Sequence, residues 1–221
     1  MVNVAKKLEI GIVGLGKFGL QLGRTLTGMG HTVVGLDTGE ARVRLAQDVL
    51  AQVYQANAAD IAVLQQLRFQ DLDIVFVSVG DSMETSLLVV LNLQELGARK
   101  IGVKAASIEH RKVLTRLGVD LVILPEHDVA THVAHRLANP GMLDLLPLGG
   151  GVLVQELVVD KWAGRTLLDL KLVNDYGVMV VAVKSVGGKE YRFVPQAHET
   201  LKRGDALVVI GKQEDVLRLV P

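Results

Sequence analysis

Along the first half of the chain, short apolar runs alternate with stretches whose apolar positions recur at helical spacing. Residues 10–13 read as a strand buried on both faces, and residues 17–29 then carry Phe18, Leu22, Leu26 and Met29 on one helical stripe. A second apolar run closes on Asp37, and further strand signals follow at 52–55, 74–79, 100–104 and 119–124. Helical stretches at 40–50, 60–67, 82–96 and 107–117 lie between them, several opened by Asp or Ser and closed by Gly97 or Gly118. Strands alternating with helices in this way predict an α/β fold, a Rossmann-like, doubly wound parallel sheet.

The pattern changes beyond Glu126. A helix is predicted to run to Asn139, where Asn139-Pro140-Gly141 breaks it, and Pro147 with Gly149-Gly150-Gly151 breaks the chain again. The runs at 152–159, 178–183, 190–194 and 206–210 are β-rich, with Gly187-Gly188 placed as a hairpin turn. These breaks predict a nucleotide-binding domain with a crossover helix over 1–140, a linker over 141–150 and a small α+β domain over 151–221. The apolar linker segment 142–146 is expected to pack against a second copy of the chain.

The turn after the first strand carries the clearest chemistry. Gly14 permits a tight turn, Gly16 lets backbone approach a pyrophosphate, and Gly19 lets the helix pack closely on the strand. Phosphate would then meet unpaired amides at a helix start. Asp37 stands where a carboxylate accepts hydrogen bonds from ribose hydroxyls, which argues against a 2′-phosphate. Other strand ends face the same crevice and become candidates by position: Thr38 beside Asp37, Ala56-Asn57-Ala58, Val79 with Gly80, Lys104 and Glu126. Taken singly, each also reads as a solvated cap or turn residue. Lys17 is a cation in the first helical turn, against the helix dipole, a mismatch that a bound phosphate would relieve.

Composition narrows the partners. The chain has 221 residues, 49% of them hydrophobic, and 24 basic against 24 acidic residues, so no net field draws in a polyanion and a general nucleic-acid binder is disfavoured. The absence of cysteine removes disulfides, thiolate metal sites and thiol nucleophiles, consistent with a cytoplasmic setting. No apolar stretch reaches the roughly 18 to 20 residues needed to cross a bilayer, so work at a membrane would need another chain to hold it there. His127, His132 and His135 do not share one helical face and read as helix-surface residues, and the lone Trp162 reads as a core or interface anchor. No Ser/His/Asp set, paired carboxylates or GxxxxGK[ST] loop is found, and binding without catalysis fits better than a small NAD(P)-dependent oxidoreductase, the alternative reading. A redox-sensing repressor would need a DNA-binding module for which no segment is seen.

With these motifs in order, the chain resembles the RCK/KTN family of potassium transport regulators, to which TrkA and KtrA proteins belong. The phrases that carry the likeness are GIVGLGKFG, GLD, QANAAD, VFVSVGD, IGVKA, LGVDLVILPEHDVA, DYGVMVVAV and LKRGDALVVIG. The resemblance implies a cytoplasmic regulator that binds ATP, ADP or NAD(H), pairs through its C-terminal domain and forms a homo-octameric ring. Its partner would be a TrkH- or KtrB-type potassium-translocating subunit at the inner face of the membrane. By motif, Gly14, Leu15, Gly16, Lys17 and Phe18 would face phosphates, Asp37 the ribose, and Asn57 with Ala58 the base, while Gly80 and Lys104 complete the wall. Glu126 matches a carboxylate that lies near terminal phosphates and helps hold a divalent cation, Mg or Ca. Lys17 stands where KtrA proteins carry arginine, a point charge in place of a bidentate fork. Val173 and Met179 stand where relatives that bind cyclic di-AMP carry Arg and Asn, which argues against that ligand.

Overall fold

The computed structural model describes residues 6–79, 82–138, 142–146 and 151–221, with the side chains of 142–146 left aside. The chain divides into two compact units, Met1–Pro125 and Glu126–Pro221. The first unit alternates β1 (Glu9–Val13), α1 (Lys17–Gly28), β2 (Thr32–Asp37), α2 (Glu40–Gln47), β3 (Gln52–Gln55) and α3 (Ile61–Gln66). It continues through β4 (Ile74–Val77), α4 (Met83–Glu95), β5 (Ile101–Lys104), α5 (Ile108–Arg116) and β6 (Leu121–Ile123). All six strands are parallel, as the strand–helix alternation predicts, and they lie in the order β3-β2-β1-β4-β5-β6.

Successive residues of a strand point to opposite faces, so each strand feeds two cores. Ile12 packs with Leu15, Val33, Ala46 and Leu50, a cluster joined by Leu22 and Leu26 of α1. Its neighbour Val13 belongs to the other face, with Leu36, Val75, Val77, Val89 and Leu93. Helices on both faces make the sheet doubly wound. The strand order reverses between β1 and β4, and the crevice of such a sheet opens at the carboxyl ends of these strands. The register pairs Val13 with both Leu36 and Val77, so Gly14, Asp37 and Ser78 end level with one another.

Helix starts follow the residues that predict them. Asp60, Ser82 and Ser107 accept hydrogen bonds from the N–H groups of Ala62, Thr85 and His110. α1 and α2 are opened instead by Gly16 and Gly39, with no side-chain cap. Strand β4 stops at Val77, shorter than the predicted run to residue 79, although Ser78 N–H still donates to Val13 O at 2.7 Å.

The second unit begins with α6 (Pro125–Ala138), which the break at 139–141 assigns by sequence to the first domain. It continues with β7 (Met142–Leu146), β8 (Val152–Val158), α7 (Leu167–Leu170), α8 (Leu172–Tyr176), β9 (Met179–Lys184), β10 (Arg192–Phe193), β11 (Ala206–Lys212) and α9 (Gln213–Val216). The strands form an antiparallel sheet in the order β10-β9-β11-β8-β7. Segment 142–146, read from sequence as linker, is thus a strand at the edge of this sheet, pairing Leu145 with Leu153. An apolar run beside a strand with unfilled backbone groups gains a ladder of hydrogen bonds, which a period-based reading of five residues does not register. β8 alternates buried and half-buried positions over a core that includes Leu153, Leu157, Trp162, Leu207 and Val209. Trp162, 8% exposed, is a core residue. The turn before β11 is tied by Asp205, which accepts from Lys202 N–H at 2.8 Å and Val186 N–H at 2.9 Å.

Candidate functional site

At the switch point a cavity of about 310 Å³ opens, at the small end of the range for small-molecule sites. Gly14 and Gly16 form one wall, Asp37, Thr38 and Arg42 another, and Ala56 to Ala59 a third, with Ser78, Val79, Thr85 and Val89 closing it. Backbone geometry explains the glycines. Gly14 has φ +94°, a left-handed conformation, and a Cβ there would overlap Ser78 O. A Cβ on Gly19 would overlap Gly14 O, so this glycine serves the close packing of α1 on the turn. Gly16 has open space where its Cβ would be, which leaves the cavity wall as bare backbone.

Helix α1 starts at this wall with neither a side-chain cap nor an acidic residue in its first turn. The first amides of a helix have no partner within it, and with the dipole they present partial positive charge. That terminus and the open backbone at Gly16 form a cradle suited to an anion.

Asp37 is buried, 7% exposed, at the end of β2. Its Oδ2 accepts the Leu15 N–H at 2.7 Å. Its Oδ1 accepts the Gly39 N–H at 2.7 Å and Arg42 Nε at 2.9 Å, with Arg42 Nη2 also at 2.7 Å. Burial alone would push this carboxyl up, but the Arg42 hydrogen bond, the Gly39 and Leu15 amides and the Arg42 charge together outweigh it and hold the group below its ordinary value. The carboxylate is therefore ionised at neutral pH. Three donors crowd Oδ1 and one reaches Oδ2, so Oδ2 keeps acceptor capacity for a ligand hydroxyl.

The third wall is a short turn between β3 and α3. Ala56 N–H donates to Asp37 O at 3.0 Å, Ala59 N–H to Asn57 Oδ1 at 3.0 Å, and Asp60 N–H to Asn57 O at 3.1 Å. Asn92 of α4 reaches the same turn, its Nδ2 donating to Ala59 O at 3.0 Å.

Of the residues the sequence singled out, Gly14, Gly16, Asp37, Thr38, Ala56, Asn57, Ala58 and Val79 line this cavity. Leu15 does not; its side chain is 1% exposed in the core and only its N–H serves the site, through Asp37. Lys17 is exposed on the first turn of α1 and is not part of the lining. Phe18 stacks on Phe76 with ring centroids 5.9 Å apart, and Lys104 Nζ lies 5.9 Å from the Phe18 centroid, so Phe18 and Lys104 meet each other outside the lining. Gly80 lies outside the described residues. Glu126 begins the second unit, in the first turn of α6.

Sequence reasoning missed Val13, Leu36, Arg42, Ala59, Ser78, Thr85 and Val89. Arg42 had a signal: it is a cation in the first turn of α2, the same dipole mismatch that marked Lys17, and Asp37 relieves it. Thr85 and Val89 stand four apart on α4 and so share a face, but nothing in their types marks them. Among the described residues no group of three or more His, Asp or Glu side chains could hold a metal ion, and no helix is long and apolar enough to cross a membrane.

The second unit has its own cleft, about 580 Å³, lined by Asp169, Lys171, Val173, Asn174, Met179 and Pro195 among others. Both Val173 and Met179, the departures noted from the sequence, are in its wall.

Comparison with known proteins agrees with the resemblance carried by the motifs. Residues 10–125 match the TrkA-N domain and residues 154–220 the TrkA-C domain. The chain is 35% identical over 213 residues to Ktr system potassium uptake protein C of Bacillus subtilis (strain 168), covering 96% of each. It is 33% identical to Ktr system potassium uptake protein A of Vibrio alginolyticus, covering 93% of each. Among solved structures it resembles a GsuK channel bound to NAD, with a TM-score of 0.59 and 19% identity over 96% of this chain and 38% of the channel chain. At that identity the likeness is one of fold.

Proposed function

The chain belongs to the family built from TrkA-N and TrkA-C domains, whose relatives are potassium uptake proteins, and from that premise we propose that it is the nucleotide-sensing regulatory subunit of a potassium uptake system. The observation that carries this reading is the strand-end cavity. A bare glycine wall, an uncapped helix start and an ionised Asp37 with a spare acceptor stand together around it. Together these features suit the phosphates and the ribose of a nucleotide.

The ligand is ATP, ADP or NAD(H). Its phosphates take the amides at the start of α1, with Lys17 near that turn as a point charge. Its ribose donates to Asp37 Oδ2, and its base lies against the turn formed by Asn57 and Ala58. By the family resemblance, Glu126 would supply a carboxylate to a Mg or Ca ion bound with the nucleotide. No three-residue ligand set exists among the described residues, so phosphate oxygens would have to complete that shell. Glu126→Gln should therefore remove the dependence of ATP binding on divalent cation.

The chain acts as a cytoplasmic homodimer assembled into an octameric ring against a membrane potassium-translocating subunit. Different nucleotides stabilise different arrangements of the ring and so open or close the partner. A ligand can shift that equilibrium only by its difference in affinity for the two states. Calorimetry with ATP, ADP, NAD and NADH, followed by solution scattering of each saturated complex, tests the proposal. The expected result is binding of at least one pair with distinguishable scattering profiles. Identical profiles at saturation would sink the gating mechanism, and no binding by any of the four would sink the sensor.

A further inference from the structure

Helix α4 carries an asparagine in a setting that does not favour one. Asn92 sits among Val89, Val90 and Leu93 and is 8% exposed. Asparagine is a weak helix former, and an amide removed from water costs free energy unless it is hydrogen-bonded. Here the bond runs to Ala59 O, 33 residues away in sequence. Thr85 and Val89 line the cavity, and Asn92 follows three residues after Val89, so all three lie along one face of the helix.

The turn that Asn92 reaches is otherwise held by its own neighbourhood. Asn57 closes it on itself through Ala59 N–H, and Ala56 is tied to the adjacent strand through Asp37 O. Asn92 adds a hydrogen bond from α4, which carries the Thr85–Val89 wall, to the Ala56–Ala59 wall, beside the shared apolar core of Ala58, Val89 and Val90. This bond fixes the Ala59 carbonyl in direction relative to α4, which apolar packing alone does not do.

We infer that Asn92 is a positioning residue for base recognition, holding the Ala56–Ala59 backbone where it can read the edge of a purine. This rests on the reading of the cavity as a nucleotide site. Backbone groups discriminate between bases only when they are fixed, because a mobile turn rearranges to pair with either edge, whereas a fixed one leaves the wrong base with unpaired polar atoms. Adenine and hypoxanthine test this directly. They share ribose and phosphate contacts and differ only at the exocyclic group and the adjacent ring nitrogen.

The experiment measures ADP and inosine diphosphate affinities by calorimetry for the full chain and for Asn92→Leu and Asn92→Asp. Both substitutions remove the amide donor at similar volume. The leucine variant also removes the buried polar group, so it keeps a folded protein in the comparison. The unaltered chain should prefer ADP by about tenfold or more, and both variants should bring that ratio to within about threefold. Melting temperatures are recorded alongside, since a merely structural role would weaken both ligands by one factor and leave the ratio unchanged. An unchanged ratio in the variants, or an unaltered chain that binds both diphosphates equally, would overturn the role of Asn92 while leaving the nucleotide site standing. Failure of the unaltered chain to bind either would overturn purine recognition here, and the nucleotide reading itself falls only if ATP, NAD and NADH fail with them.

Discussion

Two walls of the strand-end cavity are built on different principles. At the wall of Asp37, four donor atoms from Leu15, Gly39 and Arg42 converge on one buried carboxylate. Both contributing turns are started by glycines whose Cβ space is used, since a Cβ on Gly39 would meet the Arg42 guanidinium and one on Gly14 would meet Ser78 O. At the wall of Ala56 to Ala59 there is no charge, and two neutral asparagine side chains do the holding. The first wall is overdetermined and belongs to the fold as much as to the site. The second can be altered with little effect on the fold, which makes it the place where ligand preference can vary between chains of the same architecture.

The sharpest way to separate fold from site is within the glycine turn. Gly19→Ala forces a Cβ onto Gly14 O, a backbone atom that cannot rotate away, and should destabilise the chain by about 3 kcal/mol or more, read as a fall in the urea midpoint. Gly16 has φ −65° and open space around its missing Cβ, so Gly16→Ala should leave stability within about 1 kcal/mol while lowering nucleotide affinity about tenfold. Equal losses of stability in the two variants would show that the turn has no ligand-specific position.

Asp37→Ala should cost about 1–3 kcal/mol of stability, because it strands the buried amide of Leu15 and the half-buried amide of Gly39, and a similar amount of ribose-dependent affinity. The stability part is pH-dependent with a definite sign. The folded-state value of this carboxyl is depressed, so its contribution is fully present above the ordinary aspartate value of about 3.9 and is lost as pH falls through the lower folded value. Urea titrations of Asp37→Asn and the unaltered chain should differ at pH 7 and converge in strong acid. A difference that persists in acid would mean that shape, not charge, carries the effect.

How much of this was legible in the sequence follows the same division. The parallel sheet and its crevice could be read because apolar runs, helical stripes and glycine spacing all report local backbone needs. Asp37 was found because the fold repeats its position. What was missed came from a distant element: Thr85, Val89 and Asn92 sit on α4 as ordinary helix residues, and only the packing of α4 brings Thr85 and Val89 to the cavity and Asn92 to the Ala59 carbonyl. Phe18 and Lys104 illustrate the converse. Both stand near the right strand ends, yet an aromatic ring and a cation find each other and Phe76 before they reach the cavity wall. Segment 142–146 was misjudged because strand pairing depends on a partner edge that no local pattern displays.

Arg42→Gln tests whether the Asp37 wall owes its charge state to the guanidinium or to the amides. Arg42 is half exposed, so its ion pair is screened by solvent and its loss should change stability little. The carboxyl should nevertheless titrate higher in the variant, followed by NMR of the side-chain carboxyl, because burial then faces only the Gly39 and Leu15 amides. No change in that titration would assign the depressed value to the amides alone.

The smallest effect is expected at the second wall. Asn57 is exposed and its Oδ1 closes the turn on Ala59 N–H, a bond that water can replace. Asn57→Ala should therefore cost about 0.5 kcal/mol or less in urea titration. The turn would still be held at Ala59 O by Asn92, so base preference should weaken by about twofold or less, below the loss in the Asn92 variants. Combining Asn57→Ala with Asn92→Leu removes both ties, and the two losses should exceed their sum because each bond limits the motion that the other leaves free. Simple additivity in the ADP-to-inosine-diphosphate ratio would mean that the two asparagines hold independent groups, and the second wall would then be as rigid as the first for reasons of its own backbone.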